Sequence, residues 1–103
     1  MTTKTDVLIA GGGFAGLECA RALAAAGISV TLLERKKAAG VGMHTTGIIV
    51  GECAEEFAIP ECVTRRVTDV RLFAPNLKYI DLHAPDYFFL TTDTPALMQH
   101  LSD

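Results

Sequence analysis

The sequence predicts an α/β protein: a parallel strand, helix, strand unit, then a β-hairpin and short helices, together an incomplete doubly wound domain. Three observations carry this expectation. A branched apolar run, Asp6-Val7-Leu8-Ile9-Ala10, stops at three consecutive glycines. An Ala- and Leu-rich segment with helical spacing follows, and a second branched run, Ile28 to Leu33, closes on Glu34. At 103 residues, 50% hydrophobic and 20% charged, the chain has the size and composition of one globular domain and not of a disordered segment.

Residues 1–103 are read as one domain with three stretches. In the first, residues 5–35, the run ending at Ala10 is short, apolar and uninterrupted, which predicts a strand buried on both faces of a parallel sheet. From Phe14 to Ala26 the spacing places Leu17, Ala20, Leu23 and Ala24 on one helical face, with Glu18 and Arg21 as an i,i+3 pair elsewhere. Gly27 stands where a C-terminal glycine ends a helix. The second strand then runs parallel to the first through a right-handed crossover.

In residues 36–60 the periodicity is lost. Basic, small and glycine residues dominate from Arg35 to Gly51 until Ile48-Ile49-Val50, which reads as a functional loop. Glu52 to Ile59 is expected to form a short helix, because Ala54, Phe57 and Ala58 share a face and Pro60 bounds it. In residues 64–103, Arg66 to Phe73 alternates with Val67, Val70 and Leu72 imperfectly in phase, and Lys78 to Leu82 follows Pro75-Asn76. That pattern predicts an antiparallel hairpin. Tyr87 to Leu90 reads as another strand, and Thr94-Pro95 opens a closing helix with Leu97, Met98 and Leu101 on its apolar side.

Composition excludes several partners. Nine Lys and Arg stand against 12 Asp and Glu for a net charge of -3, without a block of like charges, so no nucleic-acid partner is expected. The 3 cysteines, Cys19, Cys53 and Cys62, form no C-x-x-C pair, which predicts neither a disulfide framework nor a metal site and favours a cytoplasmic setting. Glu18 and Arg21 interrupt the only run that resembles a signal peptide, and no stretch approaches the roughly 18 apolar residues a membrane span requires.

The chemistry concentrates at the first glycine cluster. Gly11, Gly13 and Gly16 form a G-x-G-x-x-G pattern between a strand and a helix. Gly11 permits the tight turn, Gly13 lets a pyrophosphate approach the backbone, and Gly16 lets the helix pack closely on the strands. The diphosphate then meets the free N–H groups and positive dipole at Phe14, Ala15 and Gly16. Glu34, at the end of the second strand, is placed to accept hydrogen bonds from an adenosine ribose. Its charge opposes a 2'-phosphate, although Arg35, Lys36 and Lys37 beside it are basic.

These residues, from Asp6 to Glu18 together with Leu32-Leu33-Glu34-Arg35, resemble the N-terminus of FAD-dependent oxidoreductases with the glutathione-reductase-type Rossmann domain. Within that superfamily the resemblance is to the group of p-hydroxybenzoate hydroxylase and the geranylgeranyl reductases. It is specific over residues 1–35 and rests on element order beyond them. The resemblance implies that FAD binds with its ADP half on the turn, that Glu34 holds the ribose and that Arg35 flanks the adenine. It also implies that Thr45, Thr46 and Gly47 approach the ribityl or diphosphate region, the alternative being a structural turn. It further implies a small organic substrate and NAD(P)H as a reductant of the full enzyme. Many relatives carry an arginine at the start of the helix that corresponds to residues 94–102, where this chain has Thr92-Asp93-Thr94-Pro95.

No residue is assigned a catalytic role: His44, His83, His100 and Cys53 lack an identifiable partner in the sequence. The expected function is the N-terminal FAD-binding segment of a flavin-dependent reductase or monooxygenase. The alternatives are an NAD-binding module of a small dehydrogenase and a non-catalytic nucleotide-binding module. The length is read as a truncation, with an exposed sheet edge, marginal stability and weak or no FAD binding expected of the isolated chain.

Overall fold

The computed structural model describes residues 2–103. They divide into two compact units, residues 2–44 with 94–103, and Thr45–Asp93.

In the first unit β1 (Val7–Ala10), α1 (Phe14–Ala25) and β2 (Val30–Leu33) form the expected strand, helix, strand unit. The two strands are parallel, with Val7 opposite Val30 and Ala10 opposite Leu33. The helix ends as its glycine predicts. Gly27 takes a φ of 78°, its N–H donates to the Ala24 carbonyl, and the Ile28 N–H donates to the Leu23 carbonyl at 3.0 Å. This C-terminal lock uses Ile28, so the second strand begins at Val30 and not at Ile28.

One expectation is corrected. β1 is not buried on both faces: its residues alternate between half-buried and exposed, and Leu8 is 61% exposed. The reason is that β1 has a single neighbour, β2, in a two-stranded sheet. The core of this unit lies instead between helices. Helix α1 lies against the closing helix α3 (Thr94–Ser102), and the buried apolar side chains are Leu17 of α1 and Leu97 and Met98 of α3.

The second unit holds two antiparallel sheets. β3 (Ile48–Val50) leads into α2 (Gly51–Glu56), a 3-10 turn at Glu61–Val63, β4 (Thr64–Val67), β5 (Asp69–Phe73), β6 (Tyr79–His83) and β7 (Phe89–Thr92). In the three-stranded sheet β7 lies between β3 and β4, while β5 and β6 form the hairpin alone.

Four boundaries differ from the sequence reading, each for a local reason. Ile48-Ile49-Val50 is a strand, because Leu90 and its neighbours on β7 supply a partner that is distant in sequence. The hairpin starts at Asp69 and not Arg66, and Thr64–Val67 joins the other sheet. The phase slip between Val67 and Val70 marks the place where the chain changes sheets. α2 ends before Phe57, whose N–H closes the last turn on the Cys53 carbonyl, so residues 57–59 are outside the helix. The Tyr87 N–H bonds to the Ala84 carbonyl in a turn, which delays β7 to Phe89.

The hairpin sorts its side chains by period two. Val70, Leu72, Ile80 and Leu82 share one face, and Asp69, Arg71, Phe73, Tyr79, Asp81 and His83 share the other. On the polar face Arg71 binds Asp81 through two parallel N–H···O bonds at 2.7 and 3.0 Å and stacks over Tyr79, while His83 pairs with Asp69.

Candidate functional site

The site is built on the turn between β1 and α1. The Gly11 N–H donates to the Leu33 carbonyl at 2.7 Å, which carries the parallel ladder one residue past β1. Gly11 then takes a φ of 107°, a conformation that disfavours any side chain, and redirects the chain into the helix. Gly16 faces back on this bend. A Cβ there would lie 1.9 Å from the Gly11 carbonyl oxygen, so the helix reaches the strand only because that atom is missing.

Gly13 differs in kind. It is the N-terminal flanking residue of α1 at φ -76° and ψ -173°, and a Cβ built on it meets nothing within 4 Å. Its lack of a side chain is therefore not required by the packing of the chain itself. The first-turn amides of α1 have no intrahelical acceptor, no side chain caps them, and no acidic residue occupies the first turn. The result is an open cradle of N–H donors at a positive helix end, which fits a diphosphate group.

Glu34 is tied to the same turn. Its Oε2 accepts the Gly12 N–H at 2.6 Å, and its Oε1 accepts the Lys36 N–H at 2.8 Å. These two donors, Lys36 first and Gly12 second, hold its pKa below the ordinary 4.5. A carboxylate offers about four lone-pair sites, so these bonds leave it further acceptor capacity. Gly12 is buried, and a Cβ on it would crowd Glu34 Oε2 at 3.1 Å. The sequence reading gave Gly12 no role. Its signal was a glycine at a motif position that accepts any residue.

The structure thus brings Gly11, Gly13, Phe14, Ala15, Gly16, Glu34 and Arg35 into one unit, with Arg35 exposed beside Glu34. Thr45, Thr46 and Gly47 belong to the second unit. There Gly47 is buried at φ 65°, its N–H donates to Thr45 Oγ1, and its carbonyl accepts both the N–H and the hydroxyl of Thr92, at 3.0 and 2.8 Å. Thr92 is an anchor that the sequence did not disclose. Thr92→Val is expected to cost about 1 kcal/mol, the worth of one hydrogen bond, read as a lower urea midpoint. Thr45 and Thr46 are exposed beside this anchored turn.

Among the described residues no cluster of His, Cys, Asp and Glu could hold a metal, and no helix is long and apolar enough to cross a membrane. Cys19, Cys53 and Cys62 are all exposed free thiols.

A glycine turn, an uncapped helix and a strand-end carboxylate in hydrogen bond with that turn define a dinucleotide-binding class of protein. The comparisons specify it further. The family model of FAD dependent oxidoreductases matches residues 6–102, and the chain belongs to that family, whose cofactor is FAD. Two curated relatives are methylenetetrahydrofolate–tRNA-(uracil-5-)-methyltransferases. That of Oleidesulfovibrio alaskensis is 64% identical over 36 residues, 35% of this chain and 8% of the relative. That of Nitratidesulfovibrio vulgaris is 53% identical over 45 residues, 44% of this chain and 9% of the relative. Among solved structures, a geranylgeranyl bacteriochlorophyll reductase-like protein from Thermoplasma acidophilum superposes at a TM-score of 0.75 and 23% identity, over 95% of this chain and 26% of that one. This last likeness is one of fold. The chain spans less than a tenth of the curated relatives' length and about a quarter of the solved structure's.

Proposed function

We propose that this chain is the N-terminal FAD-binding segment of a flavin-dependent oxidoreductase that acts, as a reductase or monooxygenase, on a small organic substrate. The observation that carries the reading is the pairing of the Glu34 carboxylate with the Gly12 N–H beside an uncapped helix N-terminus. In this reading the amides from Gly13 to Gly16 bind the diphosphate, Glu34 accepts the adenosine ribose and Arg35 flanks the adenine. Thr45, Thr46 and Gly47 contact the ribityl or diphosphate region, and NAD(P)H is a reductant of the whole protein. FAD, when bound, supplies a two-electron carrier; this chain's residues supply its placement and orientation. The exposed free thiols support a cytoplasmic setting.

A parallel titration with FAD and with NAD tests the reading. FAD binding tighter than NAD is expected, and the reverse order would turn the assignment to an NAD module. The local identity to the tRNA methyltransferases favours a second reading, a folate- and tRNA-dependent activity of the whole protein. The net charge of -3 weighs against a nucleic-acid surface on this part of it.

The lowered pKa of Glu34 sets a pH dependence. A carboxylate whose folded pKa lies below its unfolded value stabilises the fold at pH above the unfolded value, and the contribution is lost as pH falls through the folded one. The stability of the fold is therefore expected to hold above pH 4.5 and to fall below it as the carboxylate is protonated. Glu34→Gln should remove that acid limb from the urea midpoint and, at neutral pH, bind ADP more weakly as read by calorimetry.

A further inference from the structure

The loop after β2 carries three successive basic residues, and the structure treats them differently. Arg35 and Lys37 are exposed, whereas Lys36 is half-buried. Its backbone N–H donates to Glu34 Oε1 at 2.8 Å, and its ammonium donates to the Gly42 carbonyl at 2.8 Å. Gly42 takes a φ of 62°, which turns the chain so that this carbonyl points back across the loop. Between these anchors the Val41 N–H bonds to the Ala38 carbonyl, and Gly40, at φ 84°, lies against Pro95 so closely that a Cβ would sit 2.7 Å from the Pro95 Cα. Residues 36–42 are thus a loop closed on itself by one side chain and seated on the start of α3.

We propose that Lys36 is a positioning residue for the cofactor's ribose: by tying its side chain to Gly42 it fixes its own backbone N–H on Glu34 and aims that carboxylate's free lone pairs at the ribose hydroxyls. The ammonium is committed to a carbonyl and is not a phosphate ligand. The inference rests on the reading of Glu34 as the ribose acceptor and deepens it. Without the strap the backbone at Lys36 gains freedom, and Glu34 loses the firm hold of one of its two short hydrogen bonds, keeping that from Gly12.

The test is calorimetric titration of the full chain with ADP and with 2'-deoxy-ADP, for the wild type, Lys36→Met, Lys36→Arg, Glu34→Gln and the Lys36→Met/Glu34→Gln double variant. Thermal melting of each without ligand tests whether it folds. Lys36→Met should weaken ADP on the order of tenfold, the scale of one hydrogen bond, with little change in melting. It should weaken 2'-deoxy-ADP, which keeps one of the two ribose hydroxyls, clearly less than ADP, and add nothing to Glu34→Gln. Lys36→Arg, which retains a cationic donor, should recover most of the ADP affinity. An equal loss for both ligands would make Lys36 a general attractor of the diphosphate and overturn the inference. Unchanged ADP binding in Lys36→Met, with Glu34→Gln weakened, would overturn it alone. Unchanged binding in Glu34→Gln would overturn the reading of the site with it.

Discussion

Gly16→Ala is expected to destabilise the chain by about 3 kcal/mol, the upper end of the usual range for overpacking. The added Cβ would stand 1.9 Å from the Gly11 carbonyl oxygen and 3.1 Å from the carbonyl carbon, both backbone atoms that cannot rotate aside. Relief requires α1 to withdraw from β1 or the Gly11 bend to open, and either movement disturbs the Gly11 N–H bond to Leu33. A domain of this size has a total stability near the low end of roughly 5–15 kcal/mol, so such a loss is a large share. Buried apolar side chains are few among the described residues, namely Leu17, Leu97 and Met98, and Leu17 lies one residue after the substituted position. Chemical denaturation should show a large fall in midpoint, and the variant should lose FAD because it loses the fold.

Gly13→Asp should separate binding from folding in the opposite sense. Nothing lies within 4 Å of a Cβ at this position, its φ of -76° suits any L residue, and it directly precedes α1. Aspartate is among the best residues for capping a helix start, and its charge complements the dipole there. The unliganded chain should therefore melt at the same temperature or higher. In the proposed binding mode the same side chain would occupy the diphosphate's place and repel its charge. FAD and ADP affinity should fall by on the order of a hundredfold or more, about 2.7 kcal/mol. Retained affinity would remove the turn from the site.

The turn was legible in the sequence because its chemistry is local. A glycine at each of positions 11, 13 and 16, between a branched run and a helical one, states the bend, the open cradle and the close approach. Glu34 was legible as a strand-end carboxylate, but its bond to Gly12 was not, because a three-dimensional return of the chain brings them together. The same holds for Thr92 and Gly47, whose hydrogen bond joins positions 45 residues apart. The parallel pair was read correctly, yet the burial of β1 was overestimated. A continuous apolar run describes a strand suited to a wide sheet, and here it has one neighbouring strand. In the stretch from Thr64 to Phe73 the alternation was visible and its phase slip was visible too. Only the register shows that the slip divides two strands serving different sheets.

Backbone amide chemical shifts of the isotope-labelled chain, recorded with increasing ADP, test the assignment of the cofactor to this turn most directly, since they report even millimolar binding residue by residue. The expected result is that the largest changes fall on Gly12 to Leu17 and on Glu34 to Lys36, with the Gly13→Asp variant unresponsive. Changes confined to Thr45–Asp93, or an equal response from Gly13→Asp, would contradict it.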